Sequence, residues 1–343
     1  MPKVIGLTYD LKDDWVFQEG DPSDANAELD RPATIERIQK AFEQYGHKVK
    51  RIGNLQNLLK QIHKLDVDIV FNICEGKRGR NRESEVPAML EAFRIPFVGS
   101  DALTLGVTLD KIAAKKMFIA DGVPTPGYFN ASNMDDVAGL KNVKFPLIVK
   151  TRHEGTSKGI TRNSRVENIK DLKRQIEIII RDYKQPALVE EFIKGTEFTV
   201  AVLGNGANAQ AMPVAQICVD GKANLGDEFY STERIMLPDT IRYDCPAKIS
   251  KALTKKLQDV AVKAYRSAEC RDFGRVDFRV DEKENPYVLE INPLPSLAAA
   301  DVFSLFPPAI HSTFEEVLNR ILGYALERYG LKNDNAPVLV GAR

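Results

Sequence analysis

Residues 274–295, GRVDFRVDEKENPYVLEINPLP, leave little freedom in how they fold. The runs RVDFRV and YVLEIN alternate polar and apolar side chains at period two, the mark of strands with one apolar face. DEKENP between them is rich in turn formers. A hairpin turning about Lys283 and Glu284 sets Asp277 opposite Glu290 and Arg275 opposite Asn292. Successive side chains alternate faces, so two carboxylates, an amide and a guanidinium share one patch of sheet. An ordinary hairpin with one wet face accounts for this pattern. So does a magnesium site, because Mg²⁺ takes one or two carboxylates and completes its shell with phosphate oxygens and water. In that case Arg275 faces the transferring phosphoryl group.

The 343-residue chain is too long for one ordinary core, so about two or three subdomains are expected. Lys plus Arg and Asp plus Glu both number 48, which gives no support for nucleic-acid or anionic-membrane binding through bulk charge. No apolar run approaches membrane-spanning length, and MPKVIGLTYDL lacks a signal peptide's hydrophobic core. Cys74, Cys218, Cys245 and Cys270 are scattered without metal-ligand spacing, which fits buried thiols in a cytoplasmic protein. The histidines are equally dispersed, so no zinc site is expected.

The first hundred residues alternate short apolar strands (KVIGLTYD, HKVKRI, DIVFNIC, RIPFVGS) with helical stretches, the pattern of an α/β domain on a parallel sheet. TLDKIAAKKMFIADG reads as a helix stopped by Gly122. FPLIVK is a strand, followed by the loop TRHEGTSKG and a helix over VENIKDLKRQIEIIIRDY. ALVEEFI, TEFTVAVLG and AMPVAQICVD are expected as antiparallel strands, and KALTKKLQDVAVKAYRSAE as a long helix before the hairpin. A final helix follows a capping-box pattern, Ser312 to Glu315.

A strand ending in Lys150 runs straight into a loop carrying Glu154, Gly155, Thr156, Ser157 and Gly159. Glycines let backbone N–H groups approach an anion, and the hydroxyls add donors to phosphate oxygens. The order of glycine, lysine and hydroxyl is not that of a Walker loop, and a plain hairpin turn fits equally. Downstream, an apolar strand enters Glu190 and Glu191, with Phe192 and Ile193 beside them, an arrangement suited to an adenine pocket. Glu197, past Gly195, is placed to accept ribose hydroxyls; a solvated acidic turn is the plainer alternative.

Taken in order, RIPFVGS, the DK of TLDKIAAKK, GVPTPGY, FPLIVK, EGTSKG, VEEFIKGTEFTVAVLG, FGRVDFRV and LEINPLP resemble the ATP-grasp ligases, most closely the D-alanine–D-alanine ligase family, from about Asp68 to Pro308. The resemblance implies an α/β chain of ATP-grasp architecture: an N-terminal Rossmann-like domain (1–105), a central subdomain with the glycine loop (106–194), a C-terminal subdomain with the metal site (195–330) and a tail (331–343). It implies that Lys111 and Lys150 hold ATP phosphates under a mobile lid from Glu154 to Gly159. Glu190, Glu191, Phe192 and Ile193 would bind adenine, and Glu197 the ribose. Asp277, Glu290 and Asn292 would hold two Mg²⁺ ions, replaceable by Mn²⁺. Arg275 and the backbone N–H near Ser296 would stabilise developing charge. The activity implied is an ATP-dependent carbon–nitrogen ligase joining a small carboxylate to an amine, with amino acids expected as the substrates, in a cytoplasmic homodimer.

Departures cluster where the family binds its amino acids. The N-terminal glycine-serine-glutamate signature is replaced by the acidic segment DLKDDWVFQEGDPSDANAELD, a candidate substrate lid. Glu75 stands where a histidine is usual, in CEGKRGRNRESEVP, whose Lys77, Arg78, Arg80 and Arg82 could clamp an extra carboxylate. The tyrosine- and lysine-bearing segment becomes GDEFYSTERIMLPD, with Arg234, and LPSLAAAD places Asp301 where it would repel a carboxylate and favour a cation. The expectation is a ligase whose substrates are not two D-alanines. The alternatives are a D-alanine–D-alanine ligase proper, an ATP-grasp phosphotransferase and a non-catalytic nucleotide-binding protein.

Overall fold

The computed structural model describes residues 1–138, 143–231, 234 and 240–331. The expected tail past Leu331, and most of STERIMLPD, lie outside the described residues. No described helix is long and apolar enough to cross a membrane.

Three sheets organise the chain. The first contains β1 (Val4–Tyr9), β2 (Lys48–Gly53), β3 (Ile69–Ile73) and β4 (Phe97–Val98), all parallel, in the order β2-β1-β3-β4. Every residue of β3 is buried because both its faces are covered. Ile52, Val70, Cys74 and Phe97 pack on one side with helices α2 (Leu55–Gln61) and α3 (Glu85–Ala92). Ile5, Leu7, Ile69 and Phe71 pack on the other with α1 (Pro32–Gln44).

The second sheet, β5-β8-β6-β7, joins β5 (Tyr128–Ala131), β6 (Leu147–Thr151), β7 (Arg165–Val166) and β8 (Ala187–Glu191), all antiparallel. Between α4 (Ala102–Leu109) and α5 (Lys111–Ala120), Asp110 breaks what reads in sequence as one helix start. Its carboxylate accepts from the N–H groups of Ile112 and Ala113, so α5 begins at Lys111. The short α6 (Met134–Ala138) and α7 (Ile169–Asp182) follow β5 and β7. Leu147 and Val149 of β6 and Ala187 and Val189 of β8 face Leu172, Ile176 and Ile179 of α7. By the period of two, Ile148, Lys150, Leu188 and Glu190 face the opposite way.

The third sheet runs β12-β11-β9-β13-β14, with β10 (Gln210–Ala211) also paired to β9. Its strands are β9 (Gly195–Leu203), β11 (Ala215–Val219), β12 (Ile241–Asp244), β13 (Phe273–Asp281) and β14 (Pro286–Asn292). Phe198, Val200, Val276, Phe278, Val288 and Ile291 pack under α8 (Lys251–Ser267). Ala114 and Phe118 of α5 join that same core, so α5 packs on the third sheet although it precedes the second in sequence. After α9 (Val302–Leu305), α10 (Phe314–Arg328) returns to the first sheet and packs beside α1. Burying Val317, Leu318, Ile321 and Leu322 of α10 is worth roughly 1.5–3 kcal/mol each, which binds the chain's end to its beginning. The capping box sits one residue later than expected, from Thr313 to Glu316, while the Ser312 hydroxyl also bonds Glu316.

Candidate functional site

A cleft of about 830 Å³ lies between the uncovered faces of the second and third sheets, with residues 27–31 of the acidic segment along its wall.

On the hairpin, Asp277 lies opposite Glu290 and Arg275 opposite Asn292, the expected pairs. The route to them differs from the sequence expectation. Nearest the turn, Phe278 pairs with Val288 and Arg279 with Tyr287, and the register then shifts between Asp277 and Phe278. Leu289 is the extra residue of a β-bulge. Without it, Glu290 and Asn292 would face the apolar core. The signal is present in YVLEIN, where the buried Val288 and Ile291 are three residues apart, not two.

The four polar side chains, all lining the cleft, are tied together. Arg275 Nη2 and Asn292 Nδ2 each donate to Asp277 Oδ2 at 2.9 Å, and the Thr199 hydroxyl donates to Oδ1 at 2.6 Å. Glu290 pairs with Lys111 at 3.2 Å. Burial and the charge of Glu290 push the Asp277 carboxyl up despite Arg275. For Glu290, Lys111, Arg275 and Lys150 outweigh burial and hold it down. Among the described residues no cluster of three or more His, Cys, Asp or Glu could hold a metal. Two carboxylates and an amide oxygen are a donor set that fits Mg²⁺ with phosphate oxygens completing the shell.

Lys150 points into the cleft and pairs at 2.6 Å with Glu190, which also meets Lys115 at 2.5 Å. Burial alone would raise the Glu190 carboxyl, but the two ammonium groups hold it at about 2. Read from sequence as an adenine ligand, the Glu190 carboxylate lines the cleft but is already engaged by two ammonium groups, and Glu191, also on the lining, is exposed. Lys115 was not singled out from sequence, although it lies one helical turn after Lys111. Ile148, Phe192 and Phe229, with Ile160, form an apolar group in the cleft. The guanidinium carbons of Arg279 and Arg165 lie 4.7 and 5.0 Å from the Phe192 ring centre. Arg279 also pairs with Glu197 at 2.5 Å and bonds the carbonyl of Ile193. Glu197 therefore meets a guanidinium that sequence reading did not supply.

The glycine loop is held from several sides. Lys111 donates to the carbonyl of Glu154. Thr156 and Ser157 adopt left-handed φ values of 48° and 55°, unfavourable for a β-branched residue, and bend the loop back. At Gly159, φ is 76° and a Cβ would meet Thr151 Cγ2 at 2.7 Å, so only glycine fits. The acidic segment reaches this loop. Glu28 accepts from the Gly155 N–H, from Arg82 Nη2 to both oxygens at 2.9 Å, and from Lys158 at 3.1 Å. Asp24 accepts from the Gly159 N–H at 3.0 Å and from the Tyr183 hydroxyl. Burial opposes ionisation of Glu28, but Arg82 and Lys158 hold it at about 2. Nothing in the sequence distinguished Glu28 from the other carboxylates of its segment.

Several substrate-side expectations are corrected. The basic loop is not a free carboxylate clamp. Lys77 bonds the carbonyl of Asp14, Arg78 pairs with Asp21 at 2.8 Å, Arg80 with Asp110 at 3.1 Å, and Arg82 with Glu28. Arg234 pairs with Glu228 and does not line the cleft. Asp301 caps α9 and lies 3.4 Å from Arg275, so its cation is already supplied by the chain. Ser296 lines the cleft, and its hydroxyl accepts from the Ala298 N–H at 3.3 Å. Glu75 also lines the cleft, near Glu83.

The family model described as D-ala D-ala ligase C-terminus matches residues 122–323. A D-alanine–D-alanine ligase of Carboxydothermus hydrogenoformans is 33% identical over 86% of this chain and 93% of its own length. An uncharacterised protein of Sinorhizobium fredii is 35% identical over 76% of this chain and 75% of its own. Among solved structures, the ATP complex of D-alanine–D-alanine ligase from Bacillus anthracis superposes with a TM-score of 0.73, at 20% identity, over 96% of this chain and 99% of that one. The D-Ala:D-Ser ligase of Enterococcus faecalis gives 0.70, at 20% identity, over 95% and 100%. The chain belongs to the D-alanine–D-alanine ligase family of ATP-dependent carbon–nitrogen ligases, with the ATP-grasp fold.

Proposed function

We propose that this protein joins a small carboxylic acid to an amine at the expense of ATP, with substrates other than two D-alanines. The observation that carries the reading is Lys111, which ion-pairs with Glu290 on the acidic hairpin and donates to Glu154 in the glycine loop. One ammonium thereby joins the candidate metal-binding face to the candidate phosphate loop. ATP would lie with its base against Ile148, Phe192 and Phe229, its ribose near Glu197 and its phosphates near Lys111 and Lys150. Asp277, Glu290 and Asn292 would hold Mg²⁺, whose bound form offsets phosphate charge. A carboxylate is a poor electrophile, so it takes the terminal phosphoryl group of ATP and becomes an acyl phosphate, leaving ADP. The amine attacks the acyl carbon, and the tetrahedral adduct collapses to amide and phosphate. Arg275 and the backbone N–H near Ser296 stabilise the developing charge. The glycine loop, with residues 27–31 beside it, excludes water that would hydrolyse the acyl phosphate.

Support for substrates other than D-alanine comes from the acidic wall made by Glu75 and Glu83. A second reading, synthesis of D-alanyl-D-alanine, is favoured by the relatives that carry that name. Phosphate release from MgATP with D- and L-amino acids, singly and in pairs, with product masses, separates the two. Rapid release with D-alanine alone, giving the dipeptide, would establish the second. Retention of phosphate in the product would indicate a phosphotransferase.

A further inference from the structure

Nearly every buried carboxylate along the cleft has a cationic partner within the chain. Glu190 has Lys115 and Lys150, Glu197 has Arg279, Glu290 has Lys111, and Asp277 and Asp301 have Arg275. Glu28 has Arg82 and Lys158, and Glu154 has Lys158. Asp30 faces Thr34 and Lys12, which both hold its carboxyl down against burial. Glu75 and Glu83 are the exceptions. Both line the cleft, and no described residue donates a hydrogen bond or forms an ion pair with either. Glu83 is only 9% exposed. The cations that face it are engaged elsewhere: Arg82 with Glu28, and Lys111 with Glu290 and Glu154.

A buried carboxylate without a partner is costly to keep charged. Burial raises the Glu83 carboxyl to about 7 and raises Glu75 in the same direction; the charge of Glu28 adds to both shifts, and that of Glu83 adds to the shift of Glu75. Such a pair favours a ligand that brings its own positive charge. The pair offers fewer ligands than the hairpin's two carboxylates and amide oxygen, and among the described residues no cluster of three or more His, Cys, Asp or Glu completes it. A protonated nitrogen suits them better, because it satisfies two carboxylates by hydrogen bonds without a fixed coordination geometry.

We propose that Glu75 and Glu83 receive a side-chain ammonium of the substrate, so that one of the joined molecules is a diamino acid. The inference rests on the ligase reading for its substrate, but on the unpaired carboxylates for its charge. The side chain of alanine brings no positive charge to them. A diamino acid places its second nitrogen against them while its reacting group faces the hairpin.

The test is calorimetric titration of the full chain with Mg²⁺ and a non-hydrolysable ATP analogue present. Diaminopropionate, diaminobutyrate and ornithine, in both enantiomers, are compared with their methyl isosteres aminobutyrate, norvaline and norleucine. A charged hydrogen bond of this kind should make one diamino acid bind about 10- to 100-fold more tightly than its isostere. Glu83→Gln and Glu75→Gln should each remove most of that preference while affinity for the ATP analogue is unchanged. Equal affinities in the unaltered protein, no measurable binding of any diamino acid, or a preference that survives both substitutions would overturn the proposal. Phosphate release on the same panel reads the ligase separately. Turnover of alanine with no diamino preference sinks the ammonium pocket alone. A diamino preference with no phosphate release from any acid sinks the ligase reading alone.

Discussion

At the scale of single residues, burial and charge compete, and distances decide which wins. Glu190 and Glu83 are both buried glutamates, yet one is held at about 2 and the other raised to about 7. The difference is that two ammonium groups lie within 2.6 Å of Glu190, whereas Glu83 has no bonded partner among the described residues. Glu190→Gln would leave Lys115, itself 0% exposed, without compensation. Breaking a buried pair typically costs about 3–5 kcal/mol. Partial neutralisation of Lys115, whose ammonium burial already disfavours, should bring the loss towards the lower figure. Urea unfolding should show a lower midpoint with an unchanged slope; an unchanged midpoint would mean the triad adds nothing to stability.

At the scale of elements, the hairpin shows how a local irregularity sets up a surface. The bulge at Leu289 turns the polar half of β14 onto the face of Arg275 and Asp277. Its turn is held by Asp281, which accepts from the N–H groups of Lys283 and Asn285. Glu284 closes the turn with φ of 58°, a conformation that costs a non-glycine residue about 1 kcal/mol. Glu284→Gly should therefore stabilise the protein by about 0.5–1 kcal/mol, and it should leave phosphate release unchanged because the turn is remote from the cleft lining. A loss of stability would show that the Glu284 side chain matters more than its backbone.

At the scale of the whole molecule, the acidic segment fastens the first sheet's domain to the glycine loop. Glu28 is the main tie, through Gly155, Arg82 and Lys158. Glu28→Gln removes the countercharge of two buried cations and should cost about 3 kcal/mol or more. It should also raise amide exchange in the loop from Glu154 to Gly159, and unaltered exchange there would refute the tie. The same charges set the pH dependence. Glu28 and Glu190 are held at about 2 against an unfolded value of 4.5, so their stabilisation is present above pH 4.5 and lost as pH falls towards 2. Glu83 and Asp30 are raised to about 7 from 4.5 and 3.8. The folded chain then holds protons the unfolded chain has lost, so stability falls as pH rises towards 7. Glu83 faces Arg82, Glu28, Lys111 and Glu154, and Asp30 faces Lys12 and Asp10. Melting temperature should peak near about pH 5. Glu83→Gln should flatten the decline on the alkaline side, and an unchanged decline would exclude Glu83 as its source.

The sequence by itself determined the strands, most helices, the pairing of Asp277 with Glu290, the glycine loop and the family, because these depend on short-range periodicity and on motifs contiguous in the chain. It also carried two signals that period-two reading passed over: the three-residue spacing of Val288 and Ile291, and the helical spacing of Lys111 and Lys115. Only the tertiary structure decided which charges meet. Arg78, Arg80, Arg82 and Asp301 looked available to substrate, yet each finds a partner from a distant segment. Glu28 became a brace, and Glu75 and Glu83 were left unpaired among the described residues. A side chain's charge is written in the sequence, but its partner is set by which remote backbone segments the cores bring within about 3 Å of it.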